Sequence, residues 1–100
     1  MKVKDSTAVQ CRYGEYIKDL YGDWDVIMDK SDACHYFGEV NLIAQKDNDV
    51  MHLQFCYGSC SVCDDWEARE LTSEDIIKEI KDLTLLFTKE EFLEFSRRRE

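Results

Sequence analysis

Apolar and polar side chains alternate with a period of two between residues 37 and 57. In the first arm Val40, Leu42 and Ala44 alternate with Glu39, Asn41, Ile43 and Gln45. In the second arm Met51, Leu53 and Phe55 alternate with His52, Gln54 and Cys56. Period two is the mark of a strand with one buried face, so the stretch predicts a β-hairpin. The polar run Lys46-Asp47-Asn48-Asp49 between the arms predicts its turn, because Asn and Asp tolerate left-handed backbone. The alternation also puts His52 and Cys56 on the face opposite Leu53 and Phe55.

Elsewhere the period changes. Tyr13, Tyr16, Ile17, Leu20 and Tyr21 recur at helical spacing, which predicts an N-terminal helix stopped by Gly22. Thr72 with Asp75 three residues on, and Leu71 placed to staple to Ile76, predict the start of a second helix. Its expected buried stripe is Ile76, Ile77, Ile80 and Leu83. Thr88 with Glu91, and Phe87 with Phe92, repeat the device for a third helix running to about residue 99. That helix is expected to bury Phe92, Leu93 and Phe95, with Arg97, Arg98 and Arg99 opposing the negative end of its dipole. Thr84-Leu85-Leu86-Phe87 reads as an apolar connector. Trp24 to Met28 reads as an edge strand, and residues 1–10 as a frayed start or short strand. The expected fold is α+β: a small antiparallel sheet centred on residues 37–57, one N-terminal helix, and two C-terminal helices packed on one face, in a single domain over residues 1–100.

Composition narrows the class. At 44% hydrophobic and 12% aromatic residues the chain has enough apolar surface to fold. No apolar run approaches membrane-spanning length, and the N-terminus lacks a signal-peptide pattern, so no membrane contact and a cytoplasmic location are expected. In a reducing compartment the five cysteines are expected as thiols or ligands rather than disulfides. The net charge is −9, and residues 64–82 alone carry eight acidic against three basic side chains. Such a surface repels nucleic acid directly and suits a basic partner. Asp23, Asp25, Asp29 and Asp32 lack the alternate spacing, central glycine and terminal glutamate of a calcium loop.

The chemistry-bearing residues concentrate in Phe55-Cys-Tyr-Gly-Ser-Cys-Ser-Val-Cys-Asp-Asp-Trp66. Cys60-x-x-Cys63 has the spacing that lets two thiolates reach one zinc ion. Cys56 and His52 are the nearest further ligands, Cys34 and His35 a more distant pair. A homodimer giving two cysteines from each chain would also complete four. Thiol exchange is disfavoured, because Asp64 and Asp65 raise a neighbouring thiol's pKa and no βαβ unit precedes the motif. The plainest reading is a compact turn of small residues that fixes where the next carboxylates point. No nucleophile–base pair has an orienting partner, so no enzyme is expected.

This run, following the strand with Phe37-Gly38-Glu39-Val40, resembles a group of small bacteriophage and prophage proteins with a Tyr-Gly-Ser-Cys-Ser-x-Cys-Asp core. The matching positions are Tyr57, Gly58, Ser59, Cys60, Ser61, Cys63 and Asp64. The group has no agreed activity. The resemblance implies a phage origin and action in the cytoplasm of a bacterial host. Together with the charge it implies an interaction protein, an anti-CRISPR-like inhibitor that occupies a basic nucleic-acid groove on a host CRISPR effector or nuclease. The candidate contacts are Asp64, Asp65, Glu67, Glu70, Glu74 and Glu79. The alternative is a zinc-binding or thiol-redox protein using Cys60 and Cys63, with Cys56 and His52 as further ligands. On the first reading no cofactor is required.

Overall fold

A computed structural model describes residues 1–33, 38–58, 66 and 69–98. Its central hairpin pairs β3 (Gly38–Lys46) with β4 (Asp49–Tyr57) in antiparallel register. Val40 faces Phe55, Leu42 faces Leu53 and Ala44 faces Met51, and all six are buried. The period-two pattern therefore becomes one continuous apolar face. A two-residue turn joins the strands, with Asp47 in left-handed backbone at φ 54°, the conformation that Asp accepts more readily than most residues.

Three more strands complete an antiparallel α+β sheet. The expected edge strand is β1 (Asp25–Asp29), which pairs with β3 and is interrupted by a bulge at Ile27. The two-residue β2 (Asp32–Ala33) pairs with the start of β3. The expected connector after residue 84 is instead a strand, β5 (Leu85–Thr88), paired with Asp49–His52 of β4. Four apolar-rich residues are too few to show a period, and their strand state depends on a distant edge with which to pair. The path across the sheet is β1-β3-β4-β5.

The first helix, α1 (Gly14–Tyr21), buries Ile17 and Tyr21, while Tyr16 and Leu20 are half-buried. It stops at Gly22 as expected, although Gly22 keeps right-handed backbone. The second helix, α2 (Ser73–Leu83), begins with the predicted reciprocal cap: Asp75 N–H donates to Thr72 Oγ1 and Thr72 N–H donates to Asp75 Oδ2, both at 3.2 Å. The two helices lie side by side on the apolar face of the sheet. Tyr16 Oη meets Ser73 Oγ at 3.1 Å, and Tyr21 Oη–H donates to Thr84 Oγ1 at 2.9 Å. Ile76 and Ile80 are buried and Ile77 is half-buried, but Leu83 is 40% exposed, since the last turn runs out of the core toward β5.

The third helix, α3 (Lys89–Arg98), is capped by Thr88 and Glu91 as the sequence predicts. It does not join the other two on one face. Its Phe92 and Leu93 line a cavity of about 270 Å³ with Ile27, Gln45 and Val50, residues of the opposite sheet face. This face is mostly polar and offers little apolar surface to cover α3. Phe92 is therefore only half-buried, and Leu93 and Phe95, expected inside, are 55% and 47% exposed.

Residues 1–10 are not frayed, and their strand character is limited to one antiparallel bridge from Lys2 to Asp25. The rest form two 3₁₀ turns, Val3–Asp5 and Thr7–Gln10, which bury Val3 and Ala8 and, between them, Ser6. Such turns are too short to leave a periodic signature. Backbone bonds hold them to the start of the sheet: Val3 N–H to Trp24 O at 2.9 Å and Val26 N–H to Met1 O at 2.8 Å. Among the described residues, no helix is long and apolar enough to cross a membrane.

Candidate interaction surface and cysteine segment

The strand pattern places His52 and Cys56 on one face of β4, as read from the sequence, with His52 half-buried and Cys56 exposed. Four residues on a strand span roughly 13 Å, whereas zinc ligands must each come within about 2.0–2.3 Å of one ion. The two side chains therefore share a face without forming a pair. His52 Nε2 lies 3.0 Å from Asn41 Oδ1, and beside it Gln54 Nε2–H donates to Glu39 Oε1 at 3.0 Å. Cross-strand polar bonds of this kind suit a water-facing sheet surface. Among the described residues, no three His, Cys, Asp or Glu side chains are grouped to hold a metal ion.

Cys60, Cys63, Asp64, Asp65 and Glu67, together with Cys34 and His35, lie outside the described residues. The flanks of the central segment are described, and both are anchored. On the upstream side, Arg12 Nη1–H donates to the carbonyl of Gly58 at 3.1 Å, with its guanidinium 5.7 Å from the Tyr13 ring centre. On the downstream side, Trp66 is 9% exposed and sits edge-on to Tyr13 at 4.8 Å and tilted against Phe55 at 5.0 Å. Tyr57 meets Tyr13 edge-on at 6.2 Å. Edge-on and tilted aromatic pairs align ring edges with ring faces and add to the area they bury. Arg12 and Tyr13 were legible only as a polar position and a helix-face tyrosine, because their partners lie more than forty residues away.

The described acidic candidates separate into two kinds. Glu70, in left-handed backbone at φ 51°, and Glu74, in the first turn of α2, are exposed. Glu74 also favours the positive end of the helix dipole. Glu79 is engaged with Arg69, with Nη1 and Oε1 3.3 Å apart. The aspartates of the 23–32 stretch have separate structural tasks. Asp23 pairs with Lys46 at 2.6 Å and Asp25 with Lys2 at 2.9 Å. The hydrogen bond from each lysine holds its aspartate below the usual carboxylate range. Asp29 accepts from Ala8 N–H at 3.1 Å and Ser31 N–H at 3.0 Å, fixing the second 3₁₀ turn to the end of β1.

Two thiols behave oppositely. Cys11 is buried beside the aromatic cluster, and loss of solvation pushes its pKa up to about 11. Cys56 is exposed. Thiolate, not thiol, is the nucleophile. Native protein treated with iodoacetamide at pH 8 is therefore expected to be alkylated at Cys56 and spared at Cys11, as read by peptide mass mapping. Equal labelling of both would contradict the burial of Cys11. The raised pKa also sets a sign. Cys11 favours the folded state at neutral pH, and that contribution is lost as pH rises from the ordinary thiol value of 9.0 through about 11.

No protein-family model, curated protein or solved structure matches this chain.

Proposed function

We propose that the chain is an acidic interaction protein that docks into a basic, nucleic-acid-binding groove on a host protein, an anti-CRISPR-like inhibitor of phage origin acting in the bacterial cytoplasm. One observation carries this reading. With 22 acidic and 13 basic side chains, the chain carries nine more carboxylates than cations. The excess is dense just after the cysteine segment, where Asp64, Asp65 and Glu67 lead in sequence to the exposed Glu70 and Glu74. An array of carboxylates with its own counter-charges in deficit is complementary to a groove whose lysines and arginines normally meet phosphates. Gly58 is held by Arg12 and Trp66 by Tyr13, so the described residues on either side of the cysteine segment have fixed places, which lowers the entropy lost when a partner docks beside them. Glu79, already paired with Arg69, is a secondary contact on this reading.

Affinity capture from a bacterial lysate, with bound proteins identified by mass spectrometry, tests it. The wild-type chain is expected to retain a nucleic-acid-binding protein. A chain carrying Asp64→Lys, Asp65→Lys and Glu67→Lys is expected to lose it, and Glu70→Lys with Glu74→Lys to weaken it at least tenfold. Retention unchanged by both sets would remove this face from the interaction. The zinc alternative is separated by native mass spectrometry with and without chelator, since a bound ion adds mass that chelation removes.

A further inference from the structure

Among the described residues, the far edge of the sheet is built unlike a protected edge. Natural edge strands are blunted by lysine, proline or a covering element, yet β5 reads Leu85-Leu86-Phe87-Thr88. Leu85 is 56% and Leu86 66% exposed, and β5 ends the strand order. Lys89 N–H donates to Asn48 O at 3.1 Å, which sets the phase of the β4–β5 ladder. In that phase Leu85 and Phe87 exchange their backbone bonds with β4, and the N–H and C=O of Leu86 point away from the sheet. Apolar side chains flank this edge on both sides: Leu83 at the end of α2, and Phe95, whose ring stacks on Phe87 at 6.2 Å.

We infer that this edge is a self-association surface, where a second copy of the chain pairs β5 with β5 antiparallel across a twofold axis at Leu86. An isologous contact needs a patch that complements itself when reversed, and two features meet that need. Leu86 can exchange both backbone bonds with Leu86 of the second copy, extending the sheet through the dimer. A twofold axis perpendicular to the sheet also sets the two α3 helices antiparallel on the same face. Each α3 carries Lys89, Glu90 and Glu91 in its first turn, Glu94 just past its midpoint, and Arg97 and Arg98 at its end, so its start is net negative and its end net positive. Reversal therefore directs the net negative start of one helix toward the net positive end of the other. Thr88 N–H is already bonded to Glu91, so the ladder is short and the apolar side chains supply most of the affinity. This inference stands apart from the proposed function, because the β5 edge shares no residue with the acidic contacts.

Light scattering coupled to size exclusion, under reducing conditions so that the exposed Cys56 cannot cross-link, reads the result directly. The wild-type chain is expected at twice its 11.8 kDa mass. Leu86→Glu and Leu86→Lys, each placing like charges together at the axis, are expected at the single-chain mass with unchanged circular dichroism. An equimolar mixture of the two variants is expected to return to the double mass, because residue 86 of one chain then meets the opposite charge on the other. A monomeric wild type at high micromolar concentration would overturn the inference. So would dimers that survive both variants, or a mixture that stays monomeric.

Discussion

Replacing Trp66 with alanine is expected to lower the unfolding free energy by about 3–5 kcal/mol, as large aromatic truncations in packed surroundings do. The indole is 9% exposed and touches both Tyr13 and Phe55, so its removal opens a cavity among three elements at once. Tyr13 precedes α1, Phe55 lies on β4, and Trp66 follows the cysteine segment. No neighbouring ring can fill the space without leaving its own contacts, because packed interiors relax only partially around a void. Against a total stability of about 5–15 kcal/mol for a typical domain, the change is severe. Urea titration followed by far-ultraviolet circular dichroism measures it, with Trp66→Phe expected to keep more than half of the lost stability. A Trp66→Ala cost below about 1 kcal/mol, well under the usual range, would show that the ring is not part of the core.

The second large effect is expected at Gly14, the first residue of α1. A Cβ added there would lie 1.8 Å from the carbonyl oxygen of Val9 and 2.5 Å from its carbon. Both are backbone atoms of the second 3₁₀ turn, so no side-chain rotation relieves the contact. The turn Thr7–Gln10 and α1 must separate, disturbing the fully buried Ala8 and Ile17. Gly14→Ala is expected to destabilise by about 3 kcal/mol, at the upper end for overpacking. Helix propensity alone predicts the opposite sign, since alanine is favoured over glycine by about 1 kcal/mol in a helix interior. A thermal-unfolding comparison with the wild type therefore separates the two effects by sign.

The sequence is most readable where one physical signal repeats locally. The hairpin carries a two-residue period over two nine-residue strands, and its register follows from which residues are apolar. Both C-terminal helices announce their starts through Thr and an acidic residue three positions on, and both caps form. What the sequence hides depends on distant partners. The strand state of Leu85–Thr88 requires the free edge of β4, and the 3₁₀ turns of the first ten residues are held by Trp24 and Asp29. The side on which α3 lies could not be read from its own apolar positions, which suit either sheet face. Leu93 and Phe95 stay exposed because of that choice.

The candidate site divides in the same way. The shared face of His52 and Cys56 follows from strand alternation, and the same pattern sets them roughly 13 Å apart along the strand. The exposure of Glu70 and Glu74 follows from their charge, whereas the pairing of Glu79 with Arg69 depends on how the chain turns before α2. The anchors on either side of the cysteine segment, Arg12 to Gly58 and Tyr13 to Trp66, join residues more than forty apart and leave no local trace.

Competition for one groove tests the central claim most directly. The nucleic-acid-binding protein retained by the chain is incubated with fluorescently labelled nucleic acid, and the chain is titrated in while anisotropy is read. The account predicts that the label is released to its free value, that the required concentration rises steeply with added salt, and that Glu70→Lys with Glu74→Lys raises it at least tenfold. A ternary complex, in which anisotropy rises as the chain binds without displacing the nucleic acid, would contradict it.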